Sequence, residues 1–99
     1  IYCDPASSCD TKKLMELYTE YYRTSPFVHV TDKSPSTAEV RGTNRAIISP
    51  RYDSRCGKIL IISVIDNLMK GQSGNAVQNA NIRLGFDQGS GLDLNPFYP

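Results

Sequence analysis

The sequence has no tryptophan, one histidine, two methionines and three cysteines. With His29 as the sole imidazole and no CxxC or HxxxH spacing around Cys3, Cys9 and Cys56, the ligand set of a zinc site is missing. Three cysteines are too few, and odd in number, for the disulfide framework of a small secreted scaffold, so free thiols in a reducing compartment are expected. The longest nearly apolar run, Ile59 to Ile65, is strand-sized, whereas roughly 18 to 20 residues are needed to cross a bilayer. Ile1 to Asp10 lacks the charged start and apolar core of a signal peptide, so no targeting address is expected. Charge of one sign is also lacking: eleven Lys and Arg against ten Asp and Glu leave a net charge of +1. Neither nucleic acid nor an anionic membrane is an expected partner.

What is present is 99 residues, 39% hydrophobic and 21% charged, which suits one small globular domain. A chain this short buries only roughly two-thirds of the surface its unfolded form exposes, so a partner surface is expected to contribute to its stability. It is too short to be a self-contained dehydrogenase with both a dinucleotide fold and a substrate domain.

Local pattern divides the chain into alternating elements. Asp10 or Thr11 is positioned to cap a helix whose apolar residues Leu14, Leu17, Tyr18, Tyr21 and Tyr22 recur every three or four positions, with Lys12, Lys13, Glu16 and Glu20 largely opposite. Ser25-Pro26 ends it. Phe27 to Val30 reads as a short strand with Phe27 and His29 on one face, and an exposed or structural histidine is expected there. A turn-rich loop from Asp32 to Thr37 follows, then extended chain at Glu39-Val40-Arg41 and again at Arg45 to Ser49, with Arg51 to Gly57 as a polar connector. Lys58 to Ile65 is the strongest strand, apolar on both faces, so it is expected to be central, buried on both sides and hairpin-paired with residues 45 to 49. Cys3 and Cys9 fall in an expected loop.

The second helix is expected to open at Ser73 or Gly74, to bury a stripe of Val77, Ala80 and Leu84, and to stop at Gly85. Asp87 to Gly91 reads as a flexible loop and Leu92 to Pro99 as a tail carrying Phe97 and Tyr98. The helix is unusual in carrying Asn75, Gln78, Asn79 and Asn81, since asparagine amides compete for backbone hydrogen bonds and weaken helices. The glycine turn Lys70-Gly71-Gln72-Ser73-Gly74 between strand and helix is a setting in which free backbone N–H groups face an anion or polar ligand. It is neither a Walker loop nor a GxGxxG fingerprint. A solvated polar face is the plain alternative for these amides.

The run Ser63-Val64-Ile65-Asp66-Asn67-Leu68-Met69-Lys70-Gly71-Gln72-Ser73-Gly74-Asn75-Ala76-Val77-Gln78-Asn79, continued by Leu84-Gly85-Phe86 and Gly91-Leu92, resembles the C-terminal signature of the N-acetyl-gamma-glutamyl-phosphate reductase family. Pro26-Phe27-Val28 and Val40-Arg41-Gly42-Thr43-Asn44 fall in the family's order and spacing, so the resemblance covers roughly residues 11 to 92. It implies an α/β fragment of α+β character within a semialdehyde dehydrogenase: a helix, a mostly antiparallel sheet of about four strands, then a C-terminal helix. Residues 1–66 would belong to the catalytic and dimerisation domain, and residues 67–99 would form the glycine turn, a returning cofactor-facing helix and a tail.

The resemblance further implies NADPH-dependent reduction of an acyl phosphate to an aldehyde in arginine biosynthesis. Lys70, Gly71, Ser73 and Gly74 would approach NADP, and Asn75, Gln78 or Asn79 would engage the nicotinamide carboxamide. Ser73 would also supply a helix-capping oxygen. The implied partners are an N-terminal cofactor domain and a second copy joined through the sheet, in the cytoplasm or, in a eukaryote, a plastid or mitochondrion. None of the three cysteines stands in the family's Gly-Asn-Pro-Gly-Cys context, so no catalytic residue is assigned and this chain alone is expected to be inactive. A non-catalytic dimerisation module derived from that family, and a small anion-binding domain using the Lys70 to Gly74 turn, are the competing readings.

Overall fold

Helix α1, Thr11–Tyr21, begins where an aspartate supplies the missing acceptor: the Asp10 side chain takes the Lys13 N–H at 2.8 Å. Thr11 is thereby released for another role, and its hydroxyl accepts the Tyr52 N–H at 3.1 Å. The computed structural model describes residues 1–96; Phe97 and Tyr98 of the expected tail lie outside them. The chain forms two compact units, one of residues 1–35 with 47–63, the other of residues 36–46 with the segment from Val64 onward.

In the first unit the helix periodicity holds, but its face is only partly covered. Leu14 is buried, whereas Leu17 and Tyr21 are 62% and 76% exposed. Tyr21 and Tyr22 meet edge to face with ring centroids 4.9 Å apart. Burial holds the Tyr18 phenol above its ordinary pKa.

Four strands form one sheet in the order β1-β4-β3-β2, with β1 Tyr2–Cys3, β2 Val28–Val30, β3 Ala46–Asp53 and β4 Lys58–Ile65. Cys3, expected in a loop, lies in β1, antiparallel to β4 with Tyr2 opposite Leu60 and Cys3 opposite Ile59. All three cysteines are free thiols. His29 is exposed between half-buried Val28 and Val30. The expected hairpin is present, and β3 runs past Ser49 through fully buried Pro50 to Asp53, further than expected. Proline costs a strand only its N–H, and the partner β2 is just three residues long, so the ladder loses little there. The connector shrinks to a turn closed by the Gly57 N–H on the Asp53 carbonyl at 2.8 Å. Hydrogen bonds from Arg55 hold the Asp53 carboxyl down to about 2.

Strand β4 is central, as expected, but it is not buried on both sides: its residues are half-buried, with Ser63 and Ile65 exposed. The apolar composition of its two faces exceeds what this chain covers.

In the second unit, Glu39-Val40-Arg41 is not extended. Ser36 and Glu39 form a reciprocal capping box around a 3-10 turn, Thr37–Glu39, and Val40 follows fully buried. Helix α2, Gly74–Leu84, ends at Gly85 with φ +78°, where the Phe86 N–H reaches back to the Asn81 carbonyl at 2.9 Å. Residues 87 to 92, expected to be a flexible loop running into a tail, form successive turns that close on buried Leu92. The apolar positions of α2 are its exposed ones: Val77 is 42% and Leu84 69% exposed. The inward face is Gly74, Gln78 and Asn81.

Because Leu14 carries the burial of α1, Leu14→Ala is expected to cost about 2–4 kcal/mol in a denaturant titration, against under about 1 kcal/mol for exposed Leu17→Ala. Equal losses would contradict this account of the helix face.

Candidate functional site

The segment singled out in the sequence starts from a carboxylate that sequence reading missed. Oδ1 of Asp66 accepts the N–H groups of Leu68 and Met69 at 2.8 and 2.9 Å, and Oδ2 accepts the Gly42 N–H at 2.9 Å. These backbone donors, led by Gly42 and aided by Arg41, hold its carboxyl below the usual carboxylate range. Asp66 is therefore the N-cap of the whole helical segment, and an Asp directly after an apolar strand was the available signal.

From that cap the chain winds wider than an α-helix. The Gly71 N–H bonds the Asp66 carbonyl at 3.0 Å and the Ser73 N–H the Leu68 carbonyl at 2.9 Å; the Gly74 N–H reaches Met69. These are bonds to the fifth residue back, a π turn over Met69–Ser73 that runs directly into α2. The expected glycine turn with open N–H groups is thus a closed helical turn. Ser73 does not cap α2: its hydroxyl donates to the Leu68 carbonyl at 2.6 Å.

Side chains on the inward face form a connected amide network. Lys70 Nζ donates to Gln78 Oε1 at 2.7 Å, Asn44 Nδ2 donates to the same oxygen at 3.1 Å, and Gln78 Nε2 donates to Gln88 Oε1 at 3.0 Å. Asn81 Nδ2 donates to the Gln88 and Ser90 carbonyls at 3.3 and 2.9 Å. Desolvation lowers the Lys70 pKa. An ammonium has donors only, so the Gln78 atom facing it must be the oxygen, and the Asn44 atom facing that oxygen must be the nitrogen. Asn44 Oδ1 is then turned toward Gly74, buried and without a hydrogen-bond donor. Leaving such an atom unpaired costs on the order of 1–3 kcal/mol. A Cβ at position 74 would lie 2.5 Å from it and 3.0 Å from the Met69 carbonyl, which explains the buried glycine.

Of the seven residues singled out, the structure brings Lys70, Gly74 and Gln78 together on the inward side, while Asn75 and Asn79 lie exposed on the next flank, one helical turn apart. Gly71 and Ser73 are exposed, with their N–H groups used internally. Asn44 and Gln88 were also missed, since nothing in a turn sequence or a loop amide announces burial.

The model of the semialdehyde dehydrogenase dimerisation domain matches residues 1–67. The chain belongs to this family. All of it also aligns with proteins named N-acetyl-gamma-glutamyl-phosphate reductase: 44% identical over 101 aligned positions with that of Halalkalibacterium halodurans, and 46% with those of Pelobacter propionicus and Citrifermentans bemidjiense. The match falls in the C-terminal part of each relative, and the chain spans 29% of their length. The matched residues hold the helix and the four-stranded, mostly antiparallel sheet, and the C-terminal helix follows them.

A nicotinamide cofactor finds a partial fit. The N–H groups of Gly71, Ser73 and Gly74 are committed to the π turn and offer no open donor, while Gln78 has its oxygen and one of its two N–H groups engaged in the amide network. The exposed carboxamides of Asn75 and Asn79 provide the paired donor and acceptor that a carboxamide ligand requires. Among the described residues no group of three His, Cys, Asp or Glu side chains is placed to hold a metal, and no helix is long and apolar enough to cross a membrane.

Asp66→Asn puts a donor where three backbone N–H groups need acceptors. Because the folded pKa is depressed, the carboxylate stabilises the fold above the unfolded pKa of about 3.9 and loses that effect as pH falls through the folded value. The variant is therefore expected to melt below the parent at pH 7, with the gap narrowing in thermal scans as pH falls below the unfolded value of about 3.9. A gap independent of pH would contradict this role.

Proposed function

We propose that this chain is the dimerisation-domain portion of an NADP-dependent N-acetyl-gamma-glutamyl-phosphate reductase, acting in the cytoplasm, with Asn75 and Asn79 on α2 directed at the nicotinamide carboxamide. The observation that carries this reading is the alignment of the entire chain, including the Lys70 to Asn79 segment beyond the matched family domain, with reductases of that name. Bound NADPH supplies hydride to the acyl group. The contribution of this chain is to hold the carboxamide by its edge and so fix which ring face meets the substrate. Lys70, Gly71, Ser73, Gly74 and Gln78 shape and brace the turn that carries the two asparagines.

In this reading the nucleophile and its base lie in the part of the reductase outside this chain, which spans 29% of its relatives' length. The incompletely covered apolar faces of β4 support homo-association through the sheet, as a dimerisation domain requires.

The test is to join the chain to the N-terminal portion of the Halalkalibacterium halodurans relative, in place of that protein's own matching segment, and to follow NADPH oxidation with N-acetyl-glutamyl phosphate. Turnover is expected. Asn75→Ala and Asn79→Ala are each expected to raise the KM for NADPH about three- to tenfold while leaving that for the acyl phosphate within about twofold. A folded dimer without turnover would favour a non-catalytic association module, and unchanged NADPH constants in both variants would remove the two asparagines from the cofactor site.

A further inference from the structure

Among the described residues, Asn44 Oδ1 is a buried side-chain oxygen without a hydrogen-bond donor, and it faces a glycine whose Cβ would collide with it. We infer that Asn44 is a positioning residue: together with Lys70 and Gln78 it locks the rotation of α2 about its axis, and so aims the flank that carries Asn75 and Asn79. This rests on the reading of those asparagines given above.

The geometry leaves the helix little freedom. Gly74 and Gln78 are one turn apart on one face, and Asn44 meets both: its nitrogen donates to Gln78 at 3.1 Å and its oxygen occupies the space beside Gly74 that only a hydrogen leaves open. Turning α2 by one residue, about 100°, would bring a side chain bearing a Cβ against that oxygen and withdraw the acceptor from Nδ2. Asn44 is itself bracketed by Thr43, which is fully buried and whose hydroxyl donates to the Val40 carbonyl at 2.7 Å and accepts the Arg45 N–H at 3.2 Å. The ammonium of Lys70 sets the polarity of the chain of bonds, so the clamp has one orientation. Asn75 and Asn79 make no part of this network and are left to face outward.

The experiment compares Asn44→Ala, Gln78→Leu and Gln78→Glu in the joined reductase described above, with Asn79→Ala as reference. Glutamate keeps acceptors for both Lys70 and Asn44, so Gln78→Glu should stay within about twofold of the parent in the KM for NADPH, while Asn44→Ala and Gln78→Leu raise it about fivefold or more with kcat changed far less. Asn44→Ala combined with Gln78→Leu should be no worse than either alone, because both remove one device. Hydrogen exchange across residues 74 to 84 gives a readout free of cofactor and is expected to quicken in Asn44→Ala and not in Gln78→Glu. If Asn79→Ala raises the NADPH constant and Asn44→Ala does not, the positioning role is overturned. If Asn79→Ala has no effect, the cofactor reading fails instead, and unchanged exchange in Asn44→Ala overturns the clamp on its own.

Discussion

The carboxylate of Asp66 is the constraint on which the second unit depends. One oxygen starts the helical segment by accepting two successive N–H groups, and the other holds the glycine of the Val40 to Asn44 turn. A neutral side chain could satisfy one of those sets but not both, because an amide offers an acceptor on one side only. From this shared origin the helix start and the position of Asn44 are coupled: whatever fixes one fixes the other. The amide network then carries the same registration a further turn along α2, ending on Gln88 and the turns that lead to buried Leu92.

Much of the first unit is readable from pattern because its determinants are local. The Asp10 cap, the three- and four-residue spacing after it, and the β-branched run at 58 to 65 each act within a few residues. The second unit resists reading where the determinants are distant. Glu39 to Arg41 looks extended by composition, but Ser36 and Glu39 have the spacing of a capping box, and that local signal is the one the chain follows. The inward face of α2 departs from its apolar stripe for a deeper reason. Apolar residues mark an inward face only when the facing surface is apolar, and here the facing residue is an asparagine, so the inward stripe is Gly74, Gln78 and Asn81. The four amides of α2, three of them asparagines that weaken an isolated helix, divide into two that brace it and two that remain exposed.

That inversion suits a chain belonging to a dimerisation domain family and spanning 29% of its relatives. Small domains bury a modest share of their surface, and here large apolar groups are left exposed on both helices. They include Leu17 and Tyr21 on α1, Ile65 at the end of β4, and Val77, Ile82 and Leu84 on α2, while the amide contacts of α2 are used internally. Hydrophobic groups carry little directional information, whereas a hydrogen-bonded amide fixes an angle. Using amides to set the helix and leaving the apolar groups outward separates orientation from association.

The π turn is what makes this arrangement possible. Widening one turn takes up an extra residue, so every position after it lies about 100° behind where uninterrupted α-helical winding from Asp66 would put it. Without the π turn, Ser73 and Val77 would occupy the places now held by Gly74 and Gln78. Serine would drive its Cβ into Asn44 Oδ1, and valine has no acceptor for Asn44 Nδ2, so one end of a fully buried carboxamide would clash and the other would lose its partner. The same shift would turn Asn75 and Asn79 off the flank they now share. The bonds that close the π turn from Asp66, Leu68 and Met69 therefore act at a distance: they choose which residues of α2 meet Asn44, and by that choice which residues do not.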